Sequence, residues 1–376
     1  MSEVTARAAV LRQIGQPMRV ERITLGPLAP GDVLVKVAAA SLCHTDLEVI
    51  EGQLACTLPA VLGHEAAGTV AALGEGVTSL AIGDPVVLSW NPHCGQCFYC
   101  ENGQPILCTQ YLTNGPKAAH FDGRTRLTCD DGGALHQLMY LGGFSEYVVV
   151  AAQQAVKVPA AMPLDRACLL GCAVMTGFGG ATHVAGVAWG QVVMVIGAGA
   201  VGLAAIQGAS LAGAAQVVAV DPNPARRAIA GQLGATVLCD PNGESPAEVA
   251  RGLTAGRGAD VVIEAAGVAA GFRTSVEAVR PGGQVVWLGK IGVNEPVEFR
   301  WGSLMQEKRL VRSSYGGARP QQDFPAMAQA YLDGKLKLDG LVTARIRLED
   351  INEGFAALKR GEAIRSVVVF DQEGLA

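Results

Sequence analysis

Charge is scarce in this chain of 376 residues: Asp, Glu, Lys and Arg make up 17% of it, against ~25% in an ordinary soluble domain. Half of the residues are apolar, so much surface must be buried within domains or between subunits. An excess of positive charge is also missing. With 29 Lys and Arg against 34 Asp and Glu, the chain offers little to a nucleic-acid backbone or an anionic membrane, and partners of either kind are not expected. Its 48 glycines and 18 prolines stay below the ~25–30% that marks low-complexity sequence. Repeats and long linkers are absent too.

An unbroken apolar run of membrane-spanning length is likewise missing. No Asp, Glu, Lys or Arg occurs from Ala167 to Val220, but Gly197, Gly199, Gly202, Gly208 and Gly213 divide that stretch. Its pattern changes from a β-branched run to an Ala-rich one, which reads as strand, turn, helix and strand buried on both faces. The start, Met1 to Arg7, lacks the apolar core of a signal peptide. A cytoplasmic location is therefore expected, and in a reducing compartment the ten cysteines point to metal before disulfides.

At roughly 150 residues per domain, two domains are the starting expectation. From residue 190 onward, six β-rich runs (Val192–Ile196, Val217–Val220, Thr236–Cys239, Asp260–Glu264, Gln284–Leu288, Leu310–Ser314) alternate with helical patterns. The helices carry start and stop signals, such as Asn223-Pro224 at one entry and Pro281-Gly282-Gly283 after one exit. This predicts an α/β fold with a doubly wound parallel sheet. Before residue 160, short strands separated by Gly, Pro and Asp predict a mostly antiparallel β domain. The segment after Tyr315 is too short for a core of its own and must pack on one of the others.

Two patterns carry chemistry. The run Val192–Ile196 leads into Gly197-Ala198-Gly199-Ala200-Val201-Gly202, a strand–turn–helix in which backbone N–H groups can receive a pyrophosphate. Asp221 follows at the end of the next strand, placed to accept hydrogen bonds from adenosine ribose hydroxyls and to repel a 2′-phosphate. NAD is therefore preferred, although Arg226 could welcome that phosphate. Cysteines carry the second pattern. Cys94, Cys97, Cys100 and Cys108 crowd into one loop, the ligand set of a closed structural zinc site, with an iron–sulfur cluster as the alternative. Cys43 and His64, each on a turn between strands, suit a catalytic zinc, with Asp46 orienting an imidazole. The third ligand falls to Cys172, or to Cys168 one helical turn before it.

Cys43-His44-Thr45-Asp46, Gly63-His64-Glu65, the four-cysteine lobe, Leu169-Leu170-Gly171-Cys172, the glycine turn with Asp221, and Gly361-Glu362-Ala363-Ile364-Arg365 occur in one chain. In that order the set resembles the zinc-dependent medium-chain alcohol dehydrogenases nearly end to end. The resemblance implies a GroES-like catalytic domain, residues 1–175 and 316–376 with a zinc lobe at 93–109, and a Rossmann domain over residues 176–315. It implies two zinc ions per subunit, the catalytic one on Cys43, His64 and Cys172 with Glu65 behind it, and a homodimer or homotetramer. Thr45 would hydrogen-bond the substrate oxygen, and His44, Arg226 and Arg365 would touch pyrophosphate or ribose. Glu48 stands where some members end a proton relay on histidine; a solvated surface carboxylate is the other reading.

Trp90, Met139, Tyr140 and Tyr315 are the pocket candidates, and the bulk of Trp90 favours primary, aromatic or long-chain alcohols. Glutathione-dependent formaldehyde dehydrogenases are the nearest rival, but Thr109–Thr113 lacks the arginine with which they bind a thiol adduct's carboxylate. A non-catalytic dinucleotide-binding protein is the alternative from another class.

Overall fold

The computed structural model describes residues 3–292 and 294–370. The chain divides into two compact units, Met1–Cys172 with Pro320–Gly334 and Leu338–Ala376, and Ala173–Arg319 with Lys335–Lys337.

In the first unit the strands are β1 (Val4–Leu11), β2 (Arg19–Leu25), β3 (Asp32–Ser41), β4 (Ala60–Val61), β5 (Glu65–Leu73), β6 (Pro85–Leu88), β7 (Leu127–Cys129), β8 (Ala134–Gln137), β9 (Tyr147–Ala151) and β10 (Ala155–Lys157). Short helices α1 (His44–Ile50), α2 (Phe98–Glu101), α3 (Thr109–Asn114) and α4 (Leu164–Ala167) lie between them. Five of these strands close a barrel in the order β1-β2-β7-β8-β4.

The second unit holds α5 (Ala173–Gly179), β11 (Val192–Ile196), α6 (Ala200–Leu211), β12 (Gln216–Val220), α7 (Pro224–Gln232), β13 (Val237–Cys239), α8 (Pro246–Leu253), β14 (Ala259–Glu264), α9 (Ala269–Ala278), β15 (Val279–Trp287) and β16 (Arg309–Arg312). Its sheet is parallel throughout, in the order β13-β12-β11-β14-β15-β16. That order reverses between β11 and β14, the switch point of a doubly wound sheet. β11 is buried at every residue, which explains its continuous apolar run. Two helices start at side-chain caps, the first at the Asn223-Pro224 entry marked in the sequence. Asn223 accepts the N–H groups of Ala225 and Arg226, Ser245 accepts that of Glu248, and Pro224 and Pro246 occupy first-turn positions.

The chain then adds α10 (Pro320–Leu332), β17 (Val342–Ile346), α11 (Ile351–Lys359) and β18 (Arg365–Val369) to the first unit. β18 pairs antiparallel with β3, opposing Val367 to Ser41. It completes a sheet ordered β10-β6-β5-β3-β18-β17, with β9 also on β3. The closing segment thus packs on an existing core and brings Arg365 next to the end of β3. Among the described residues, no single helix is long and apolar enough to cross a membrane.

Candidate functional site

Three neighbouring strands assemble the first site. β3 ends at Ser41, which pairs with Glu65 at the start of β5, and Ser366 of β18 accepts the N–H of Leu42. Cys43, His64, Glu65 and Arg365 therefore meet at one end of the sheet. Cys172 arrives from a buried 3₁₀ turn, Cys168–Gly171. A Cβ on Gly171 would lie 2.8 Å from the Leu88 carbonyl of β6 and 3.8 Å from the Glu65 Cα, so only glycine lets this turn settle so close to the strands. One ligand atom from each of Cys43, His64, Glu65 and Cys172 lies within 4.8 Å of the others. Cys168 is outside this group. It is buried, and its thiol donates to the Asp165 carbonyl at 3.4 Å.

The expected turn at Cys43–Asp46 is instead the first turn of α1, with Cys43 just ahead of it at φ −127° and ψ 154°. This helical start carries Asp46 inward. The Asp46 Oδ1 accepts the Gly63 N–H at 2.9 Å and lies 3.1 Å from His64 Nδ1. Nδ1 is thus committed to that carboxylate, and His64 Nε2 is buried without a hydrogen-bond partner. An imidazole with Nδ1 held by a carboxylate and an unpartnered Nε2, in a cluster with two thiols, offers a zinc ligand set once Nε2 gives up its proton in favour of the metal.

The electrostatics agree. A hydrogen bond from Cys172, followed by the charges of Arg365 and His64, holds the Cys43 thiol far below its ordinary value against burial, while Cys172 is pushed up by the same bond and by burial. Burial opposes the imidazolium of His64, but Asp46 and Cys43 outweigh it and raise its pKa.

Glu65 is the carboxylate of this cluster. Burial pushes its carboxyl up to about 8, with Arg365 acting the other way. The Arg365 Nη2 is 3.2 Å from Glu65 Oε1 and 3.7 Å from Cys43 Sγ, so the guanidinium expected at pyrophosphate or ribose is buried beside this cluster. His44 is exposed, whereas Thr45 and Glu48 are half-buried and share a face of α1 at i and i+3.

Among the pocket candidates, Trp90 is buried and its ring lies 5.9 Å from that of Tyr111. Tyr140 is a buried post: its hydroxyl donates to the Gln110 and Tyr111 carbonyls at 3.2 and 3.1 Å, and its ring meets Tyr111 and Phe121. Met139 is half-buried, with φ +51°. Tyr315 is buried in the other unit. Tyr111 was missed by sequence reasoning. Burial raises its phenol pKa, and the Cys172 sulfur adds to that, placing the ring within electrostatic reach of the cluster.

Cys94, Cys97, Cys100 and Cys108 form the second group whose ligand atoms lie within 4.8 Å of one another. Cys97 and Cys108 each precede a short helix, α2 and α3. Backbone N–H groups point at the sulfurs. That of Cys94 reaches Cys108 Sγ at 3.3 Å, and those of Thr109 and Cys100 pull the Cys97 thiol down to about 6. Four sulfurs with amide donors suit a closed tetrahedral site that leaves no position for substrate.

In the other unit, the glycine turn joins β11 to α6. Gly197 has φ +92°, and a Cβ on Gly202 would lie 1.7 Å from the Gly197 carbonyl, so helix and strand touch at that point. A Cβ on Gly199 would meet nothing within 4 Å, which leaves the backbone open at the start of a twelve-residue helix, the cradle a pyrophosphate requires. Asp221 is buried. Its Oδ2 accepts the Ala198 N–H and its Oδ1 the Asn223 N–H, both at 2.8 Å. One lone pair per oxygen remains for ribose. Arg226, half-buried, follows in α7.

Comparison with known proteins gives the family. Residues 29–160 match the family described as alcohol dehydrogenase GroES-like domain, and residues 200–333 match that described as zinc-binding dehydrogenase. The chain is 38% identical to a geraniol dehydrogenase of Castellaniella defragrans over 98% of each chain. It is 35% identical to an S-(hydroxymethyl)glutathione dehydrogenase of Synechocystis sp. over 96% of this chain and 99% of that one. The crystal structure of benzyl alcohol dehydrogenase from Acinetobacter calcoaceticus superposes with a TM-score of 0.92 at 28% identity, covering 98% of this chain and all of that one. With the ligand sets, the dinucleotide turn and these relatives in agreement, the chain belongs to the zinc-dependent medium-chain alcohol dehydrogenase family.

Proposed function

We propose that the chain oxidises neutral primary alcohols, aromatic or long-chain, with NAD as hydride acceptor, and catalyses the reverse aldehyde reduction. The observation that carries this reading is the buried His64, its Nε2 without a hydrogen-bond partner, clustered with Cys43 and Cys172. Those three side chains would hold a catalytic zinc, and Cys94, Cys97, Cys100 and Cys108 a structural one. When bound, the zinc supplies Lewis acidity that eases loss of an alcohol proton, and the nicotinamide supplies the hydride acceptor.

The chain's own residues do the rest. Asp46 fixes the tautomer and orientation of His64. Arg365 hydrogen-bonds Glu65 and the Cys43 sulfur and so favours the Cys43 thiolate. Thr45 holds the substrate hydroxyl, and Glu48, on the same face of α1, takes up the departing proton. Gly199 and the first turn of α6 receive the pyrophosphate, with Arg226 contributing beside it.

Asp221 supports NAD over NADP, because a buried carboxylate repels a 2′-phosphate. Trp90 and Met139 line the substrate space. The aromatic contact of Trp90 with Tyr111 and the absence of a cationic side chain from α3 support a neutral, flat or extended substrate over an anionic thiol adduct, which would lose its hydration uncompensated. Ten free cysteines support a reducing, cytoplasmic setting. A homodimer is supported by the outer edge of β16, at the end of its sheet, and by Trp301, 77% exposed.

Metal analysis and initial rates test the reading. Two zinc ions per chain are expected, and NAD-dependent turnover of benzyl alcohol and geraniol should exceed that of formaldehyde with glutathione. A preference for the glutathione adduct would transfer the substrate assignment to the formaldehyde dehydrogenases. Undiminished alcohol oxidation after the catalytic zinc is removed would refute the mechanism.

A further inference from the structure

A carboxyl group that neither metal site uses lies at the switch point of the parallel sheet. β14 runs through Val261, Val262 and Ile263 and ends at Glu264, which is 0% exposed. An ionisable side chain in such a place is costly unless its oxygens are satisfied. Its Oε1 accepts the N–H groups of Ala266 and Gly267 at 3.0 and 2.8 Å. Its Oε2 is buried and without a hydrogen-bond partner.

The surroundings are shaped to admit it. A Cβ on Gly271 of α9 would fall 2.6 Å from Oε1, and one on Gly289, beyond β15, 2.1 Å from Oε2. Two glycines from separate segments thus make room for one carboxyl. The turn it grips is also the backing of the dinucleotide motif. Ala265 donates to the Ile196 carbonyl at 2.8 Å, and a Cβ on Gly197 would lie 2.7 Å from the Ala266 nitrogen.

We propose that Glu264 is a positioning residue for the coenzyme: its carboxyl holds the Ala265–Gly267 turn against Gly197 and so sets the floor on which the dinucleotide rests. This rests on the coenzyme reading above. An apolar residue at 264 would leave two backbone donors without an acceptor, and the turn could satisfy them only by moving away from Gly197. Glutamine keeps an acceptor oxygen in place of Oε1.

The test compares full-length wild type with Glu264→Gln and Glu264→Met, which keeps the volume and drops the acceptor. NADH dissociation constants are measured by fluorescence titration, and KM for NAD and kcat with saturating benzyl alcohol by steady-state kinetics. Methionine should raise both the NADH dissociation constant and KM for NAD about tenfold or more with kcat changed less than about threefold, the split of an effect on coenzyme binding alone. Glutamine should return both to within about threefold of wild type. Glu264→Ala serves if the methionine variant does not fold. Wild-type affinity in the variant without an acceptor, equal impairment by methionine and glutamine, or a loss confined to kcat would overturn the proposal. Failure of the wild type itself to bind NADH would overturn the coenzyme reading and this proposal together.

Discussion

Replacing Glu264 by glutamine should make the stability gap between variant and wild type depend on pH. Burial raises the Glu264 carboxyl from its ordinary 4.5 to about 7, with the amides of Gly267, Ala266 and Val268 and the charge of Arg312 opposing. The native chain therefore keeps this proton up to about pH 7, while the unfolded chain releases it near 4.5. In between, the native state binds more protons, so its stability falls as pH rises, and the loss is complete above pH 7. At 1.36 kcal/mol per pH unit, about 2 kcal/mol of that loss accrues between pH 5.5 and 8. Glutamine does not titrate, so it escapes the loss; any mismatch of its amide N–H is the same at both pH values and cancels. Thermal unfolding of both proteins, zinc-loaded and free of coenzyme, should show the variant gaining about 2–6 °C on wild type between pH 5.5 and 8. The lower figure applies if the whole chain unfolds together, the higher if the unit carrying Glu264 unfolds alone. A difference in melting temperature that is the same at both pH values would refute the reasoning.

Four further outcomes follow from the geometry. Asp46→Ala removes the acceptor of both the Gly63 N–H and His64 Nδ1, so affinity for the catalytic zinc should fall about 10–100-fold in chelator competition; unchanged affinity would show that Asp46 does not orient the ligand. Gly202→Ala forces a Cβ to within 1.7 Å of the Gly197 carbonyl and should cost about 1–3 kcal/mol together with NADH binding, read by denaturant unfolding and fluorescence. Trp90→Ala should widen the substrate space, shifting relative kcat/KM from benzyl alcohol toward a bulkier secondary alcohol by about tenfold; no shift would remove Trp90 from the pocket. Cys100→Ser should reduce bound zinc from two ions to one and lower the melting temperature while folded enzyme keeps its kcat, and a loss of kcat at full folding would contradict a purely structural lobe.

Much of this was legible in the sequence where the signal was local. The apolar run of β11, the proline and asparagine at the entry to α7 and the glycine spacing each act over a few residues. The helical pattern expected after the glycine turn is present as α6. The cysteine spacing likewise indicated a lobe, because four thiols in one loop have few other uses. Pairings between distant segments left weaker traces. β1 and β17 mix small, polar and apolar residues, so neither announces itself, and both are defined by their partners β2 and β18. Cys43 has no side-chain cap to offer, so the start of α1 looked like a turn. Tyr111 and Glu264 escaped notice because their neighbours, Trp90, Tyr140 and Gly289, are distant in sequence. The charged residue closing the apolar run Val261-Val262-Ile263 was the only local hint of Glu264.

The clamp that Asp221 makes on Ala198 and Asn223 bears on any attempt to re-engineer coenzyme choice. Deleting the carboxylate to admit a phosphorylated cofactor would also cut the strut between two crossing loops, leaving the Ala198 amide with no acceptor. A successful redesign must trade charge for a neutral acceptor, with asparagine or serine as the economical substitutes. Glycine at that position would exchange selectivity for a slack binding cleft.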